Sequence, residues 1–327
     1  MIIKAAKLSH KNKVSDGLEK FANISITGYG CIDHDRNSSL GDNYNYDTFI
    51  WTKEILEPSE VEIWKETIIH EMKKGKNIYN MARLYRINDY RELLHIAKRY
   101  NIEFFDCSNP NSFDDFKKYA EMGINGIKSK VITIMGTSRR SGKFTTSMVL
   151  KRELEKYFEI GTVGTEPQAK LCGIDEMVIP QLIPTCHVAS TIFGAVKKVD
   201  LKNKDLIIVS GQTGIFSNPL EVGTGRGGGV ISLSILLGSK PDYIILASNT
   251  VDIEDIKRNI NIIELLSGKK VIGITINSKN LNLNEKDFKD LLNDISYKLN
   301  IPVADVVKGI NLDEFIDNIV ENIKKYL

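Results

Sequence analysis

The stretch Gly136-Thr137-Ser138-Arg139-Arg140-Ser141-Gly142-Lys143-Phe144-Thr145-Thr146 decides how the second half of the chain is organised. An apolar run from Val131 to Met135 precedes it, and an amphipathic segment, residues 145–158, follows it. A strand, a glycine-bounded turn, a lysine and a helix in this order are typical of a phosphate-binding loop. In such a loop, backbone N–H groups of the turn and of the first helical turn bind the anion. Gly136 and Gly142 allow the tight turn, and Lys143 adds a mobile positive charge.

The stretch departs in two places from the common pattern G-x-x-x-x-G-K-[ST]. Five residues separate its two glycines, and Phe144 stands where a Ser or Thr hydroxyl normally binds Mg²⁺. Thr145 and Thr146 follow one and two positions later. We interpret all residues from Gly136 to Thr146 as the ligand-binding loop, with Lys143 at its centre. The alternative is an ordinary strand–helix turn with a solvated lysine.

The composition is that of a globular protein. The chain has 327 residues, of which 42% are hydrophobic and 26% charged, and this length suits about two domains. The net charge of +2 gives no electrostatic reason to expect a nucleic acid or an anionic membrane as a partner. No apolar run approaches the roughly 18 residues that a membrane span needs. We therefore expect a small-molecule substrate, and self-association into a homo-oligomer stays open.

The first residues and the cysteines indicate a cytoplasmic protein. Met1-Ile2-Ile3-Lys4 lacks the charged and apolar regions of a signal peptide. The four cysteines are scattered without a C-x-x-C pair, which argues against a zinc site and for reduced thiols. Abundant Ile, Lys and Asn fit an AT-rich genome, such as that of an archaeon.

Residues 1–128 are predicted to form a small parallel α/β domain, and residues 129–327 a second domain. In the first domain, apolar spacing predicts strands at residues 21–27, 48–51 and 102–105 and helices at residues 58–74 and 89–100. The segment from Gly123 to Ser129 is the expected linker. The polar stretch Asp33-His34-Asp35 is more simply explained as a loop than as a metal site.

The second domain alternates short apolar strands with amphipathic helices, which predicts a doubly wound parallel sheet. The expected strands cover residues 131–135, 160–163, 206–209, 243–247, 271–276 and 303–307, and the expected helices residues 145–158, 230–237, 253–267, 285–299 and 311–326. Ligands of such sheets bind at the carboxyl ends of the strands.

Five residues beyond the loop are candidates for the site. Glu166 follows a strand end and is a candidate base or Mg²⁺ ligand. Gly211 and Gln212 follow the next strand and are expected to contact the substrate. Arg226, in a glycine-rich loop before a helix, is a candidate for a carboxylate or phosphate contact, with a solvated arginine as the alternative. His187 is a candidate acid–base group, with a structural role as the alternative.

Several blocks resemble one family, the domain-of-unknown-function 1611 proteins, which include D-glutamate N-acetyltransferases. The blocks span nearly the whole chain: Asp16 to Asp33, Ile78-Tyr79-Asn80, Arg86 to Asp106, the phosphate loop, Gly164 to Gly173, Gly211-Gln212 and Gly238 to Asp242. The resemblance implies a Rossmann-like N-terminal domain followed by a P-loop domain akin to dethiobiotin synthetase. Ser138-Arg139 and Ser210 depart from the family pattern, which has Asp-Cys and an acid at these places.

Two functions from different classes follow. The resemblance implies CoA-dependent N-acylation of a glutamate-like amino acid, in which the loop binds the phosphates of acetyl-CoA. Glu166 or His187 would then take the ammonium proton, and backbone N–H groups near Gly211 would bind the oxyanion. Lys143 is counted with Glu166 and His187 among the catalytic candidates.

The alternative is an ATP-dependent ligase or kinase, in which Thr145 or Thr146 and Glu166 hold Mg²⁺. Arg139 or Arg140 would then neutralise the transferring phosphate. A third hypothesis is a sensor that binds a nucleotide without catalysis.

Overall fold

The computed structural model describes residues 1–32, 45–84, 91–216, 228–281 and 283–325. The chain divides into two units, each with its own parallel sheet. Unit 1 comprises Met1–Ser112 and Pro167–Gly173, and unit 2 comprises Phe113–Glu166 and Ile174–Leu327. Of the described helices, none combines the length and the apolar character that crossing a membrane requires.

Unit 1 is a five-stranded sheet in the order β2-β1-β3-β4-β5, with every pairing parallel. Its strands are β1 (Ala5–Leu8), β2 (Ser25–Tyr29), β3 (Thr48–Trp51), β4 (Asn77–Asn80) and β5 (Phe104–Asp106). Its helices are α1 (Lys13–Phe21), α2 (Glu60–Lys73) and α3 (Arg91–Arg99). Both tryptophans of the chain, Trp51 and Trp64, lie in its core.

Helix α1 was not predicted, and its last residue, Phe21, was expected to be the first residue of a strand. Asn12 caps it by accepting hydrogen bonds from the N–H groups of Val14 (2.9 Å) and Ser15 (3.1 Å). The Asn12 N–H in turn donates to Ser15 Oγ (2.8 Å), which completes a capping box. These bonds fix the start of the helix. The helix ends at Phe21, and the strand expected from residue 21 begins at Ser25.

Unit 2 is a seven-stranded, wholly parallel sheet in the order β12-β11-β10-β6-β9-β7-β8. Its strands are β6 (Lys130–Gly136), β7 (Ile160–Gly164), β8 (Glu176–Met177), β9 (Leu206–Ser210), β10 (Tyr243–Ser248), β11 (Val271–Ile276) and β12 (Val303–Ala304). Its helices are α4 (Phe116–Gly123), α5 (Lys143–Leu154), α6 (Thr185–Asp200), α7 (Gly228–Ser239), α8 (Ile253–Ser267), α9 (Glu285–Leu299) and α10 (Leu312–Lys324).

Alternate side chains of the central strands pack on opposite faces of this sheet. Ile245 and Ala247 of β10 join the cluster formed with α5 and α10, whereas Ile244 and Leu246 join the cluster formed with α7, α8 and α9. Phe288 of α9 is fully buried, which contributes about 1.5–3 kcal/mol relative to exposure. Helices cover both faces, so the strands are continuous apolar runs and the predicted doubly wound fold is confirmed.

Helix α4 belongs to unit 2 because it packs closely on α6. A Cβ atom on Gly194 of α6 would lie 2.0 Å from the carbonyl oxygen of Phe116, so only glycine allows this crossing. Asp200, at the end of α6, accepts hydrogen bonds from the N–H groups of Lys128 (2.9 Å) and Ser129 (2.8 Å). These contacts fix the residues that lead into β6.

The end of β12 differs from its predicted extent. A strand was expected over residues 303–307, but β12 stops at Ala304. The Asp305 carboxylate accepts hydrogen bonds from the N–H groups of Val307 (2.7 Å) and Lys308 (3.0 Å). This local capping turns the chain instead of extending the strand.

Candidate functional site

The loop between β6 and α5 lies at the carboxyl edge of the unit 2 sheet. β6 ends at Gly136 and α5 begins at Lys143. Arg140 (φ 63°) and Gly142 (φ 101°) adopt left-handed backbone conformations that fold the loop back to the helix. The neighbours of β6 are β9 on one side and β10 on the other. The connection after β6 leads across the sheet to β7, whereas the connection after β10 leads the other way, to β11. Open α/β sheets bind ligands at such a point.

Lys143 folds into the loop rather than out to solvent. Its Nζ donates hydrogen bonds to the carbonyl oxygen of Ser138 (2.7 Å) and to Ser141 Oγ (3.2 Å), and the residue is only 6% exposed. A Cβ atom on Gly136 would lie 2.6 Å from this Nζ, so a side chain there would displace the ammonium group. The loop therefore concentrates a cation at a strand end, as phosphate binding requires.

Residues at the ends of β10 and β11 hold the loop in place. The N–H of Thr137 donates to the Ala247 carbonyl oxygen (3.0 Å), and Ser138 Oγ donates to Asn249 Oδ1 (2.8 Å). Asn277 Nδ2 donates to the Arg140 carbonyl oxygen (3.1 Å). Our sequence analysis did not propose Asn277. Its position directly after an apolar strand was the signal that could have found it.

Two glycines after β9 approach the loop through their backbones. A Cβ atom on Gly211 would lie 2.4 Å from the Ile134 carbonyl oxygen, and one on Gly214 would lie 2.3 Å from that of Thr137. The Gly211 N–H donates to the Ile134 carbonyl oxygen (2.9 Å). The Gly211 N–H is thus used within the sheet, and an oxyanion role for other backbone N–H groups near Gly211 stays a prediction.

The polar residues at the end of β9 are buried. Ser210 is 1% exposed, and its Oγ has no hydrogen-bond partner among the described residues. Its carbonyl oxygen accepts a bond from Thr165 Oγ1 (3.0 Å), which joins the ends of β7 and β9. The Gln212 side chain donates to the Thr165 carbonyl oxygen and accepts a bond from Gln181 Nε2. Ser210 thus places a hydroxyl, not a carboxylate, at the strand end beside the loop.

The two threonines of the loop have different surroundings. Thr146 is 1% exposed, and its Oγ1 is 2.9 Å from Thr275 Oγ1 of β11. Its side chain therefore serves packing between α5 and β11, and a ligand contact of Thr146 stays a prediction. Thr145 and Phe144 are half-buried in the first turn of α5. Thr145 remains the loop threonine with a partly accessible side chain.

The remaining candidates come from separate parts of the sequence. Glu166 is half-buried, two residues beyond the end of β7. His187 is exposed in the first turn of α6, a helix that the sequence analysis did not predict. Arg226 lies outside the described residues, as do Asp33, His34 and Asp35. The catalytic roles of Glu166 and His187 stay predictions.

Two carboxylates beyond β7 serve structure. Asp175 accepts hydrogen bonds from the N–H (2.9 Å) and Oγ1 (2.9 Å) of Thr162. Burial raises the pKa of Asp175, but the Lys202 ammonium at 3.0 Å and the Thr162 bonds hold it below its usual value. Glu176 pairs with Lys198 at 3.1 Å. Across the described ranges, no group of three His, Cys, Asp or Glu side chains is arranged to hold a metal ion.

This fold and loop define the chain as a P-loop protein. The family described as "Domain of unknown function (DUF1611_C) P-loop domain" matches residues 118–315. The chain belongs to the DUF1611 family, which confirms the family resemblance of the sequence.

Solved structures agree on the fold. A DUF1611 family protein from Anabaena variabilis ATCC 29413 covers 98% of this chain and 100% of its own, with a TM-score of 0.74 and 16% identity. An Archaeoglobus fulgidus nucleotide-binding protein in complex with ADP covers 62% of this chain and 92% of its own, with a TM-score of 0.40 and 14% identity. The similarity to the second structure supports no inference about the ligand or the activity of this chain. No curated protein sequence matches the chain.

Proposed function

We propose that this protein is an enzyme that binds the phosphates of CoA at residues 136–146 and transfers the acyl group to the amine of a glutamate-like amino acid. The observation that carries the proposal is the position of Lys143, whose ammonium group lies inside the glycine-bounded turn. A ligand phosphate would replace the Ser138 carbonyl and Ser141 hydroxyl as its partners. The family resemblance, which includes D-glutamate N-acetyltransferases, supports the choice of acyl transfer.

The residues around the loop favour acyl transfer over phosphoryl transfer. Phosphoryl transfer needs Mg²⁺ held by a loop hydroxyl and by a carboxylate at a strand end. Phe144 stands in the place of the hydroxyl, and Ser210 stands at the end of β9. Thr146 bonds to Thr275 in the interior. In acyl transfer the loop needs only to bind phosphate, for which Lys143 and the backbone suffice.

The proposed chemistry assigns one proton transfer to the protein. The substrate ammonium must lose a proton before its nitrogen attacks the thioester carbonyl. Glu166 is our candidate base because Thr165, the preceding residue, bonds to the carbonyl oxygens of Ser210 (3.0 Å) and Gly211 (3.4 Å). These bonds hold the end of β7 against that of β9, next to the loop. His187 is the second candidate.

A Mg-ATP-dependent ligase or kinase is the second candidate function. Thr145, half-buried in the first turn of α5, supports it because a hydroxyl in this turn is the usual Mg²⁺ ligand. Glu166 would supply the carboxylate ligand. A sensor that binds a nucleotide without turnover is the remaining alternative.

Ligand-dependent thermal stabilisation separates these functions. We expect CoA and acetyl-CoA to raise the melting temperature without Mg²⁺, and acetyl-CoA to acylate an acidic amino acid. Stabilisation by ATP that requires Mg²⁺, with no effect of CoA, would favour the ligase. Nucleotide binding without turnover of any amine, carboxylate or acyl acceptor would favour the sensor.

The variant Lys143→Ala tests the loop itself. We expect it to weaken CoA binding at least about tenfold, because a charge-assisted hydrogen bond to phosphate contributes about 1.5–3 kcal/mol. Lys151→Ala is the matched control: Lys151 lies on the same helix and pairs with Glu155 at 2.7 Å. Isothermal titration calorimetry measures both affinities. Unchanged affinity in Lys143→Ala would remove the loop from the proposed site.

A further inference from the structure

A second cluster of reactive groups lies in unit 1, where three neighbouring strands end. Ser9 and His10 follow β1, Cys31 follows β2 and Thr52 follows β3. In the sheet order β2-β1-β3 these ends are adjacent. Cys31 Sγ lies 4.0 Å from His10 Nε2, and His10 Nδ1 lies 2.8 Å from Ser9 Oγ.

The hydroxyl groups around His10 accommodate the tautomer that carries its proton on Nδ1. Ser9 Oγ accepts a bond from the Thr52 N–H (2.9 Å), and Thr52 Oγ1 donates to the His10 carbonyl oxygen (3.0 Å). Ser9 can then donate to Thr52 Oγ1 (3.3 Å), and its second lone pair accepts a proton from His10 Nδ1. With these assignments, every donor among the Ser9, His10 and Thr52 groups named here has an acceptor. His10 Nε2 is left with a lone pair that faces Cys31.

The surroundings of His10 keep the ring neutral and oriented. The Trp51 ring meets it edge-on, with 5.0 Å between ring centroids. Burial lowers the pKa of His10, the positive charge of Lys53 lowers it further, and Glu60 opposes this change. A neutral imidazole near pH 7 is the form that takes a proton from a thiol.

Cys31 differs from the buried cysteines of the chain. Cys107 and Cys172 are buried, and burial raises the pKa of Cys172 to about 12. Burial likewise raises the pKa of Cys107. Cys31 and His10 are both half-buried, so both side chains keep part of their surface exposed. Cys186 is exposed and is removed in the test below.

We propose that Cys31 is a nucleophile, with His10 as its general base and Ser9 as the positioning residue, that accepts an acyl group from a thioester. Cys31 Sγ attacks the thioester carbonyl carbon while its proton moves to His10 Nε2. The carbon–sulfur bond to the donor breaks, and the leaving thiolate takes the proton from His10. The products are an acyl-Cys31 thioester and a free thiol.

This site is tested without the phosphate loop. S-phenyl thioacetate carries an acetyl thioester but no phosphate, so a failure of the function proposed for Lys143 leaves the experiment unaffected. In a Cys186→Ala background we expect intact-mass analysis and peptide mapping to find one acetyl group, on Cys31. Cys31→Ser in that background should abolish the adduct, and His10→Gln should slow its formation at least about tenfold. Absence of acetyl-Cys31, or an unchanged rate in His10→Gln, would overturn the proposal.

The pH profile is a second measurement that needs no change at His10. If His10 is the base, the acetylation rate of Cys31 falls much less than tenfold between pH 7.5 and 6.5, because burial lowers the pKa of His10 and keeps more of the imidazole neutral. N-acetylcysteine, a thiol without a neighbouring base, is the comparison and should instead slow about tenfold per pH unit as its thiolate fraction falls. An equally steep fall for Cys31 would show a thiol without base assistance and would overturn the assignment.

Discussion

At the scale of single residues, Ser210 is a buried polar side chain near the proposed phosphate site. Its hydroxyl lies at the end of β9 with no hydrogen-bond partner in the described part of the chain, although the residue is 1% exposed. An unsatisfied buried hydroxyl costs free energy, and binding of a ligand group is one explanation for its presence. Its place beside Gly211, whose added Cβ would lie 3.6 Å from Lys143 Cδ, puts it near the proposed phosphate site.

Replacing Ser210 with alanine is therefore expected to leave the unfolding free energy unchanged or to raise it by up to about 1 kcal/mol. Thr165→Val is the comparison: Thr165 Oγ1 donates to the Ser210 carbonyl oxygen at 3.0 Å, so its loss should cost about 1 kcal/mol. Chemical denaturation of the ligand-free protein measures both values. A loss of stability in Ser210→Ala that equals the loss in Thr165→Val would mean that the hydroxyl already has a partner.

At the scale of secondary-structure elements, Asp200 joins the end of α6 to the residues before β6. Its Oδ1 accepts hydrogen bonds from the Lys128 and Ser129 N–H groups and from Ser129 Oγ (3.0 Å). Its Oδ2 accepts a bond from Lys197 Nζ at 2.7 Å. Burial raises the pKa of Asp200, but the Lys197 bond and the bonds from Ser129 and Lys128 hold it below its usual value.

We expect Asp200→Asn to lower the unfolding free energy at pH 7 by about 3 kcal/mol, because Lys197 would remain buried without its carboxylate. The pKa of Asp200 is lower in the folded state, so its contribution is present above the usual carboxyl pKa and disappears as the pH falls through the folded value. The difference between wild type and variant should therefore shrink below about pH 4.

The control for this prediction is Asp205→Asn. Asp205 also accepts a backbone hydrogen bond, from the Glu159 N–H at 2.8 Å, but at an exposed position. Its replacement should cost much less, on the order of 0.5 kcal/mol. Urea denaturation at several pH values measures both variants. A difference between wild type and Asp200→Asn that stays constant from pH 7 to pH 3 would contradict the assignment.

At the scale of the whole molecule, each unit buries its own apolar core. The unit 1 core contains Trp51 and Trp64, and these are the two tryptophans of the sequence. The clusters on both faces of the unit 2 sheet contain neither. Tryptophan fluorescence therefore reports on unit 1, whereas far-ultraviolet circular dichroism reports on the helices of both units.

A ligand at the loop is expected to stabilise unit 2 by mass action. CoA at a hundredfold excess over its Kd would add about 2.7 kcal/mol. The thermal transition seen by circular dichroism should then rise more than the transition seen by tryptophan fluorescence. Equal shifts in both probes would contradict a ligand that acts on unit 2 alone.

The sequence by itself determined the fold class and the position of the loop. Long apolar runs at strand spacing and helices with one apolar face are local features, and the strand β11 and the helices α8 and α9 have the bounds that their patterns predict. The glycine spacing and Lys143 mark the loop because phosphate binding depends on backbone conformation, which glycine controls.

Only the tertiary structure decided which side chains meet. The burial of Thr146 against Thr275, the contact of Asn277 with Arg140 and the pairing of Cys31 with His10 each join residues on different elements. Such contacts depend on strand order, and the sequence pattern of a single strand carries no information on its neighbours. The elements missed in the sequence are the strands β1, β4 and the short β8 and the helices α1, α4 and α6. They depend on capping bonds or on packing that becomes visible only when the sheets are assembled.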